Sequence, residues 1–123
     1  MPVQHRIDGT IVEMVLAGSF SIEELLAGLR RMLEDERLPE NASVLINVTE
    51  SEVIPPAHVA KQVASVIAGG RERLGPRLAV VVAHSVRFGI ARQLGVWLES
   101  SGLTLEPFYQ RAEAVAWLKG EDP

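Results

Sequence analysis

The sequence predicts an α/β protein with a mixed, mostly parallel sheet of four to five strands. After residue 18, short apolar runs alternate with amphipathic segments of helical period, which favours parallel strands joined by helical crossovers. Before that point, two runs within residues 3–16 are separated by Asp8-Gly9, a pair that favours a tight hairpin turn. The predicted order is ββαβαβαβα, with an N-terminal hairpin and helices packed on the sheet.

Length and composition fit one globular domain spanning residues 1–123. A hydrophobic content of 47% and a charged content of 23% are ordinary for a soluble domain. The net charge of −4 and the scattered placement of the 12 basic residues argue against a nucleic-acid partner. The absence of cysteine excludes disulfides, thiolate zinc sites and thiol nucleophiles.

No apolar run approaches the roughly 20 residues that a membrane-spanning helix needs. The first residues also lack the basic and apolar regions of a signal peptide. We therefore expect a cytoplasmic protein without stable membrane insertion.

The first two helices are predicted from the residues at their termini. Ser21 is a candidate N-cap, and Glu24 three residues later completes a capping box. Leu38-Pro39 stops this helix, because the residue before proline disfavours the α region. A second helix is predicted from about residue 57 to residue 68, with Gly69-Gly70 at its end.

Three apolar runs predict the remaining strands. Residues 43–48 and 78–83 are nearly continuously apolar, which is typical of strands covered on both faces, and 78–83 is the predicted central strand. Residues 103–108 include Pro107, which cannot donate a hydrogen bond to a neighbouring strand and therefore indicates a sheet edge. A short helix at residues 111–119 follows.

The candidate site follows the run at 78–83, and its residues are His84, Ser85, Arg87, Gly89 and Arg92. In open α/β sheets, ligands favour the carboxyl ends of strands. Ser85 is predicted to cap a third helix, whose unpaired N–H groups carry partial positive charge. The two arginines could add charge-assisted hydrogen bonds to an anion, and Gly89 would let a ligand approach closely. The alternative is that Ser85 is only a cap, Gly89 a packing residue and the arginines solvated.

The sequence contains no recognised catalytic signature. It has no Gly-x-Ser-x-Gly elbow, no P-loop and no Gly-x-Gly-x-x-Gly motif. His58 and His84 could be neighbours, but their spacing matches no metal-binding motif. We therefore expect a protein that is not an enzyme and that has no metal and no cofactor.

An apolar surface patch is predicted around Val96, Trp97 and Trp117, which lie at or beyond the edges of their apolar helical arcs. Such a patch could be a homodimer interface or a groove for a lipid-like ligand. The alternative is partial burial within the monomer, which is normal for tryptophan.

Three stretches resemble the STAS (sulfate transporter and anti-sigma-factor antagonist) fold. More closely, they are similar to the SpoIIAA-like family of small stand-alone bacterial proteins, also described as STAS/SEC14-like. The stretches are Ala17–Leu25 at the entry to the first helix, Ser85–Arg92 after the strand at 78–83, and Phe108–Leu118. Their order and spacing together carry the resemblance, which covers nearly the whole chain.

The resemblance implies a regulatory role in which partner binding is switched by phosphorylation of a serine at the start of the second helix. In this chain the strand-end aspartate of the family falls at Asn47, and Pro56 and Ala57 replace the phospho-acceptor. Thr49 and Ser51 carry the nearest hydroxyl groups, but they lie outside the motif.

We therefore expect a non-enzymatic regulatory or protein-interaction module without this phosphoswitch. Its protein partner is unknown, and a homodimer is one expected form. The alternative is a binder of a small anionic or lipid-like ligand at the carboxyl end of the sheet.

Overall fold

Five strands form one mixed sheet in the computed structural model, which describes residues 2–121. The strands are β1 (Val3–Asp8), β2 (Ile11–Gly18), β3 (Ala42–Ser51), β4 (Leu74–Val81) and β5 (Thr104–Phe108). The helices are α1 (Ile22–Glu34), α2 (Ala57–Gly69), α3 (Ser85–Leu98) and α4 (Arg111–Leu118). The strands are neighbours in chain order, with β1 antiparallel to β2 and the other pairs parallel. The predicted order and the N-terminal hairpin are confirmed.

The three crossover helices, α1 to α3, pack on the same face of the sheet. Each crossover advances by one strand in the same direction, and parallel crossovers are right-handed in nearly all proteins. Three successive crossovers that have the same handedness and move in the same direction across the sheet place their helices on the same face of it. Helix α4 follows the last strand and packs on the opposite face, against β3, β4 and β5.

The main core lies between the sheet and helices α1 to α3. Along β2, Val12, Met14 and Leu16 alternate with residues of the other face and point into this core, where they meet buried helix residues such as Leu29 and Ile67. Full burial of each such side chain contributes about 1.5–3 kcal/mol to folding. The smaller core beneath α4 consists of Ile11, Leu45, Ala79, Val81, Ala114 and Leu118.

Helix α1 begins as predicted. The Ser21 hydroxyl oxygen accepts a hydrogen bond from the Glu24 N–H at 3.1 Å, and the Glu24 carboxylate accepts one from the Ser21 N–H at 3.1 Å. The capping box is therefore confirmed, and it fixes the point at which the chain leaves β2 and turns over the sheet.

Strand β4 differs from the prediction in its start and in its position. It begins at Leu74, which is buried and pairs with Ala42. Gly75 permits this early pairing, because a Cβ there would lie 2.7 Å from the carbonyl oxygen of Asn41. The middle strand of the five is β3, so the prediction that residues 78–83 form the central strand is wrong.

Strand β5 lies at the edge of the sheet, in agreement with the position of Pro107. Within residues 2–121, no helix combines the length and the apolar character that crossing a bilayer requires.

Candidate functional site

One edge of the sheet, here called the carboxyl edge, is where β2 to β5 end and α1 to α3 begin. Helices α2 and α3 have Pro56 and His84 at their N-caps, and neither helix has a side-chain cap or an acidic residue in its first turn. The prediction that Ser85 caps the third helix is wrong, because His84 is the last residue with extended backbone and Ser85 is the first helical residue. The unpaired N–H groups of both helices make this edge electropositive.

Three of the five predicted site residues at the junction of β4 and α3 are exposed to solvent. His84, Ser85 and Gly89 are all exposed. A Cβ at Gly89 would meet no described atom within 4 Å. No part of the described chain therefore requires glycine at position 89.

The two arginines of the junction point in different directions. Arg92 is exposed, and its guanidinium carbon lies 5.4 Å from the ring centre of Phe88 in a cation–π contact. Phe88 in turn stacks on Tyr109, with ring centres 4.8 Å apart. Arg87 is half-buried and lines a cavity that is partly open to solvent. The five predicted residues therefore do not form one site, and Arg87 is the one that contributes to the cavity.

The cavity lies between the sheet and helices α1 to α3 and has a volume of about 100 Å³. Residues of β2, β3 and β4 form one side, and residues of the three helices form the other. An engineered apolar cavity of about 150 Å³ accepts benzene, so this cavity is of a size that suits a small apolar group. Its lining consists of Met14, Leu16, Phe20, Leu25, Leu29, Ile46, Val48, Ser51, Val53, Pro55, Ala60, Val63, Val80, Arg87, Ile90, Ala91 and Leu94.

Two polar side chains belong to this lining, and they differ in their hydrogen bonding. The Ser51 hydroxyl donates to the Val53 carbonyl and accepts from the Val53 N–H, both at 3.1 Å. The Arg87 Nε is buried and has no hydrogen-bond partner within residues 2–121. Leaving a buried donor unsatisfied costs about 1–3 kcal/mol. The wall of the cavity is almost wholly apolar, so the cavity suits an apolar group.

One solved structure is similar to nearly the whole chain. It is the crystal structure of an uncharacterized protein of the DUF3478 family from Shewanella loihica PV-4, which has a SpoIIAA-like fold. The similarity covers 94% of this chain and 91% of that chain, with a TM-score of 0.62 and 15% sequence identity. This chain has a SpoIIAA-like fold. No protein-family model matches the sequence, and comparison with curated proteins also gives no match.

Within this SpoIIAA-like fold, the stretch predicted from the resemblance to replace a phospho-acceptor forms the start of α2. Pro56 is the N-cap, and residues 57–58 are exposed and carry no hydroxyl group. Asn47, predicted from the resemblance to replace a strand-end aspartate, lies within β3. Its Oδ1 accepts hydrogen bonds from the Thr49 N–H at 3.0 Å and from the Thr49 hydroxyl at 2.8 Å. Thr49 is exposed and Ser51 is buried.

The three histidines occupy different parts of this fold. His5 lies on β1, where its Nε2 is 2.7 Å from the Asp35 carboxylate at the end of α1. His58 and His84 are exposed at the starts of α2 and α3. Across residues 2–121, no three histidine, aspartate or glutamate side chains are grouped in a way that could hold a metal ion.

The predicted interface residues are divided between the two faces of the sheet. Val96 is exposed on α3, whereas Trp97 packs against the main core. Trp117 packs against the opposite core, with its ring 5.6 Å from that of Phe108, and the Arg77 guanidinium carbon lies 5.0 Å from its ring centre. The two tryptophans therefore contribute to opposite faces of the protein.

The face under α4 contains a buried charge that the sequence analysis did not consider. Glu13 is 4% exposed, and its carboxylate accepts hydrogen bonds from Arg111, the shortest at 2.7 Å, and from Arg6 at 3.0 Å. The Arg111 hydrogen bonds, against the opposing effect of burial and with help from Arg6, hold the pKa of Glu13 below its ordinary value. Arg6 and Glu13 lie opposite each other because Asp8 pairs with Ile11 and the hairpin loop is Gly9-Thr10. The predicted turn at Asp8-Gly9 is therefore wrong by one residue, and it would have placed Arg6 opposite Ile11.

The sequence signal for the cavity was weak and local. Arg87, Ala91 and Leu94 are spaced i, i+4 and i+7, so Arg87 belongs to the inward apolar stripe of α3. A cationic residue within an apolar stripe was the sequence feature that could have indicated the cavity. Apart from Ile90, the other lining residues lie outside α3, on three strands, two helices and the loops before α1 and α2, and they share no local pattern.

Proposed function

We propose that this protein is a small-ligand binding module whose site is the cavity between the sheet and helices α1 to α3. The supporting observation is an apolar cavity of about 100 Å³ at the carboxyl edge, the region where open α/β sheets bind ligands. We do not propose catalysis. Among the described lining residues, Arg87 is the one ionisable side chain, and the lining has no carboxylate or imidazole that could act as a general base.

An NMR titration of the ¹⁵N-labelled protein with an uncharged probe, hexanamide, tests this proposal. Backbone amide shifts are expected at cavity-lining residues such as Leu29, Val63 and Leu94. Amide signals of α4 are expected to stay in place, because α4 lies on the other face of the sheet.

A matched pair of variants on α2 supplies the control. Ala60 is buried and lines the cavity, whereas Ala57 is exposed. Ala60→Leu should fill the cavity and abolish the titration, while Ala57→Leu should bind as the wild type does. Unchanged hexanamide binding by a folded Ala60→Leu variant, or shifts confined to α4, would contradict the proposal.

We propose a regulatory protein-interaction module as the second candidate function. It is supported by three large apolar side chains exposed at the carboxyl edge, Ile54 (53%), Val86 (60%) and Tyr109 (49%). Val86 lies in the first turn of α3, and Val96, which is also exposed, lies in its last turn. A protein partner that binds this edge should no longer bind the Val86→Ser variant, and it should still bind the Val96→Ser variant. A partner that tolerates both changes, or is lost with both, would count against this edge as the interface.

A further inference from the structure

We propose that two copies of this chain associate through the free edge of β1. The two β1 strands pair antiparallel about a two-fold axis, so that two five-stranded sheets become one continuous sheet. The partner is therefore a second copy of this chain, and backbone hydrogen bonds make most of the contact. The proposal does not depend on the cavity or on its ligand.

The first observation is the direction of the backbone groups along β1. The Ala17 N–H donates to the Pro2 carbonyl oxygen at 2.9 Å, so these two residues form a hydrogen-bonded pair in the register of β1 and β2. Such pairs alternate with non-hydrogen-bonded pairs along an antiparallel ladder. The N–H and C=O groups of Val3, His5 and Ile7 therefore point away from β2, toward the open edge of the sheet.

The open edge of β1 is largely free of protein partners. Within residues 2–121, one of its outward groups has a partner, the Val3 carbonyl, which accepts a hydrogen bond from Arg31 at 3.3 Å. Natural edge strands are commonly protected by proline, lysine, a bulge or a covering segment. Residues 3–8 contain neither proline nor lysine, and their register with β2 is unbroken. The backbone groups of β1 are therefore available to another strand.

The opposite edge of the sheet, formed by β5, is closed. The Phe108 carbonyl accepts a hydrogen bond from the Val82 N–H at 2.9 Å, so the backbone groups of Phe108 point toward β4 and those of Pro107 point outward. Proline has no N–H to donate there. Helix α3 also lies against this strand, because a Cβ at Gly95 would be 2.8 Å from the Leu105 carbonyl oxygen. The edge that remains open to another strand is therefore β1.

A second copy of β1 is complementary to this edge when the two-fold axis passes through His5. Val3 then pairs with Ile7 of the second copy, and the outward N–H and C=O groups of all three residues meet partners. On the core face, apolar Val3 lies opposite apolar Ile7. On the exposed face, uncharged Gln4 lies opposite Arg6. Moving the axis to Arg6 would place two arginines opposite each other, which is unfavourable.

Sedimentation equilibrium of the full chain measures the dimer Kd, with His5→Pro and His5→Ala as a matched pair. Both variants lose the contact of the imidazole with Asp35, but only proline also removes the outward N–H. His5→Pro should raise the Kd at least about tenfold, because the two-fold axis removes one backbone hydrogen bond from each copy. His5→Ala should keep a Kd close to that of the wild type. Circular dichroism checks that both variants are folded.

A second pair of variants tests the register, and it also tests the interface if His5→Pro fails to fold. Gln4 is exposed and would lie opposite Arg6 of the second copy. Gln4→Glu should lower the Kd and Gln4→Lys should raise it, each by about two- to tenfold, because each charge pair occurs twice in the dimer. Val96→Ser, on the exposed surface of α3, should leave the Kd unchanged.

Four results would overturn the proposal or part of it. A wild type that stays monomeric at the highest concentration at which it is soluble overturns the dimer. A folded His5→Pro variant with the same Kd as His5→Ala overturns the role of the outward N–H groups. A Kd that changes only in Val96→Ser places the interface on α3 instead of β1. A change in the same direction for Gln4→Glu and Gln4→Lys overturns the register centred on His5.

Discussion

Glu13 and Arg87 are charged side chains with buried polar atoms, and they lie on opposite faces of the same sheet. Glu13 accepts hydrogen bonds from Arg111 and Arg6, whereas the Nε of Arg87 has no partner within residues 2–121. Removing a charge from water is unfavourable unless a partner compensates for it. On the Glu13 face the chain supplies that partner itself, so the cluster serves the fold. On the Arg87 face the described chain leaves the Nε unpaired, next to an apolar cavity.

The two faces of the sheet also differ in how completely they are packed. Helix α4, with eight residues, covers a small core and is tied to β2 through the Arg111–Glu13 ion pair. On the other face, three helices leave an apolar space of about 100 Å³ beside Arg87. Protein interiors rarely leave apolar space empty, because the lining atoms lose dispersion contacts. We therefore assign a structural role to the face under α4 and ligand binding to the face under helices α1 to α3. The predictions test this assignment.

Leu29→Ala is expected to have the largest effect. Leu29 is 1% exposed and lines the cavity, so truncation should lower the free energy of unfolding by about 2–5 kcal/mol and enlarge the cavity. Octanoate, whose tail exceeds the wild-type cavity, should then bind the variant and raise its melting temperature. Urea denaturation and thermal melts with and without octanoate measure both effects.

Leu45→Ala is the matched control for this prediction on the opposite face. Leu45 is also fully buried, but it belongs to the core beneath α4, so the loss of stability should be similar. Octanoate should not rescue it. Equal rescue of both variants would show that the division between a binding face and a structural face is wrong.

Most of the fold could be predicted from the sequence because its signals are local. The N-terminal hairpin, the Ser21–Glu24 capping box and the alternation of strands with helices depend on residues close together in the chain, although the hairpin loop is Gly9-Thr10 rather than the predicted Asp8-Gly9. The early start of β4 could not be predicted in this way. It depends on the pairing of Leu74 with Ala42 and on the space that Gly75 leaves, which are tertiary features.

The candidate site was predicted less well, for a physical reason. The sequence placed Arg87 and Arg92 together at the start of a helix, but the helix turns only Arg87 into the cavity. Arg87 and Arg92 are five residues apart on α3, which places their side chains about 140° apart around the helix axis, so they do not face the same side. The cavity itself is a property of six elements packed together, so no single stretch of sequence could indicate its volume.

Arg111→Met is expected to have an intermediate effect, because it removes the main partner of a buried carboxylate. The loss of unfolding free energy should be about 2 kcal/mol at neutral pH, as measured by urea denaturation. Arg6→Met should lose less than about 1 kcal/mol, since the Arg6 side chain is mostly exposed and makes one hydrogen bond to Glu13. A larger loss for Arg6→Met than for Arg111→Met would contradict this ranking.

The pH dependence of stability gives an independent measure of the same cluster. The pKa of Glu13 is lower in the folded protein than in the unfolded chain, so its contribution is present above its ordinary pKa and is lost as the pH falls through the folded-state pKa. Arg111→Met removes the largest cause of this shift, so its stability should fall less steeply below about pH 5. Hydrogen bonds from Arg37 and then His5 lower the pKa of Asp35 in both proteins, so the difference in slope reports on Glu13. Identical slopes would show that Arg111 does not set the pKa of Glu13.

His84→Asp is expected to have the smallest effect on stability. It also tests whether the N-terminus of α3 contributes to ligand binding. The N-cap of α3 makes no side-chain hydrogen bond, so an aspartate there should add about 0.5–1 kcal/mol to the free energy of unfolding. It also places a negative charge at the electropositive edge, three residues before Arg87, so hexanoate, the charged counterpart of hexanamide, should bind more weakly and hexanamide should bind as before. His84→Asn caps the helix without a charge and should stabilise the protein without weakening hexanoate binding. If the two variants weaken hexanoate equally, the capping interaction rather than the charge is responsible, and the electropositive edge then has no part in recognising an anion.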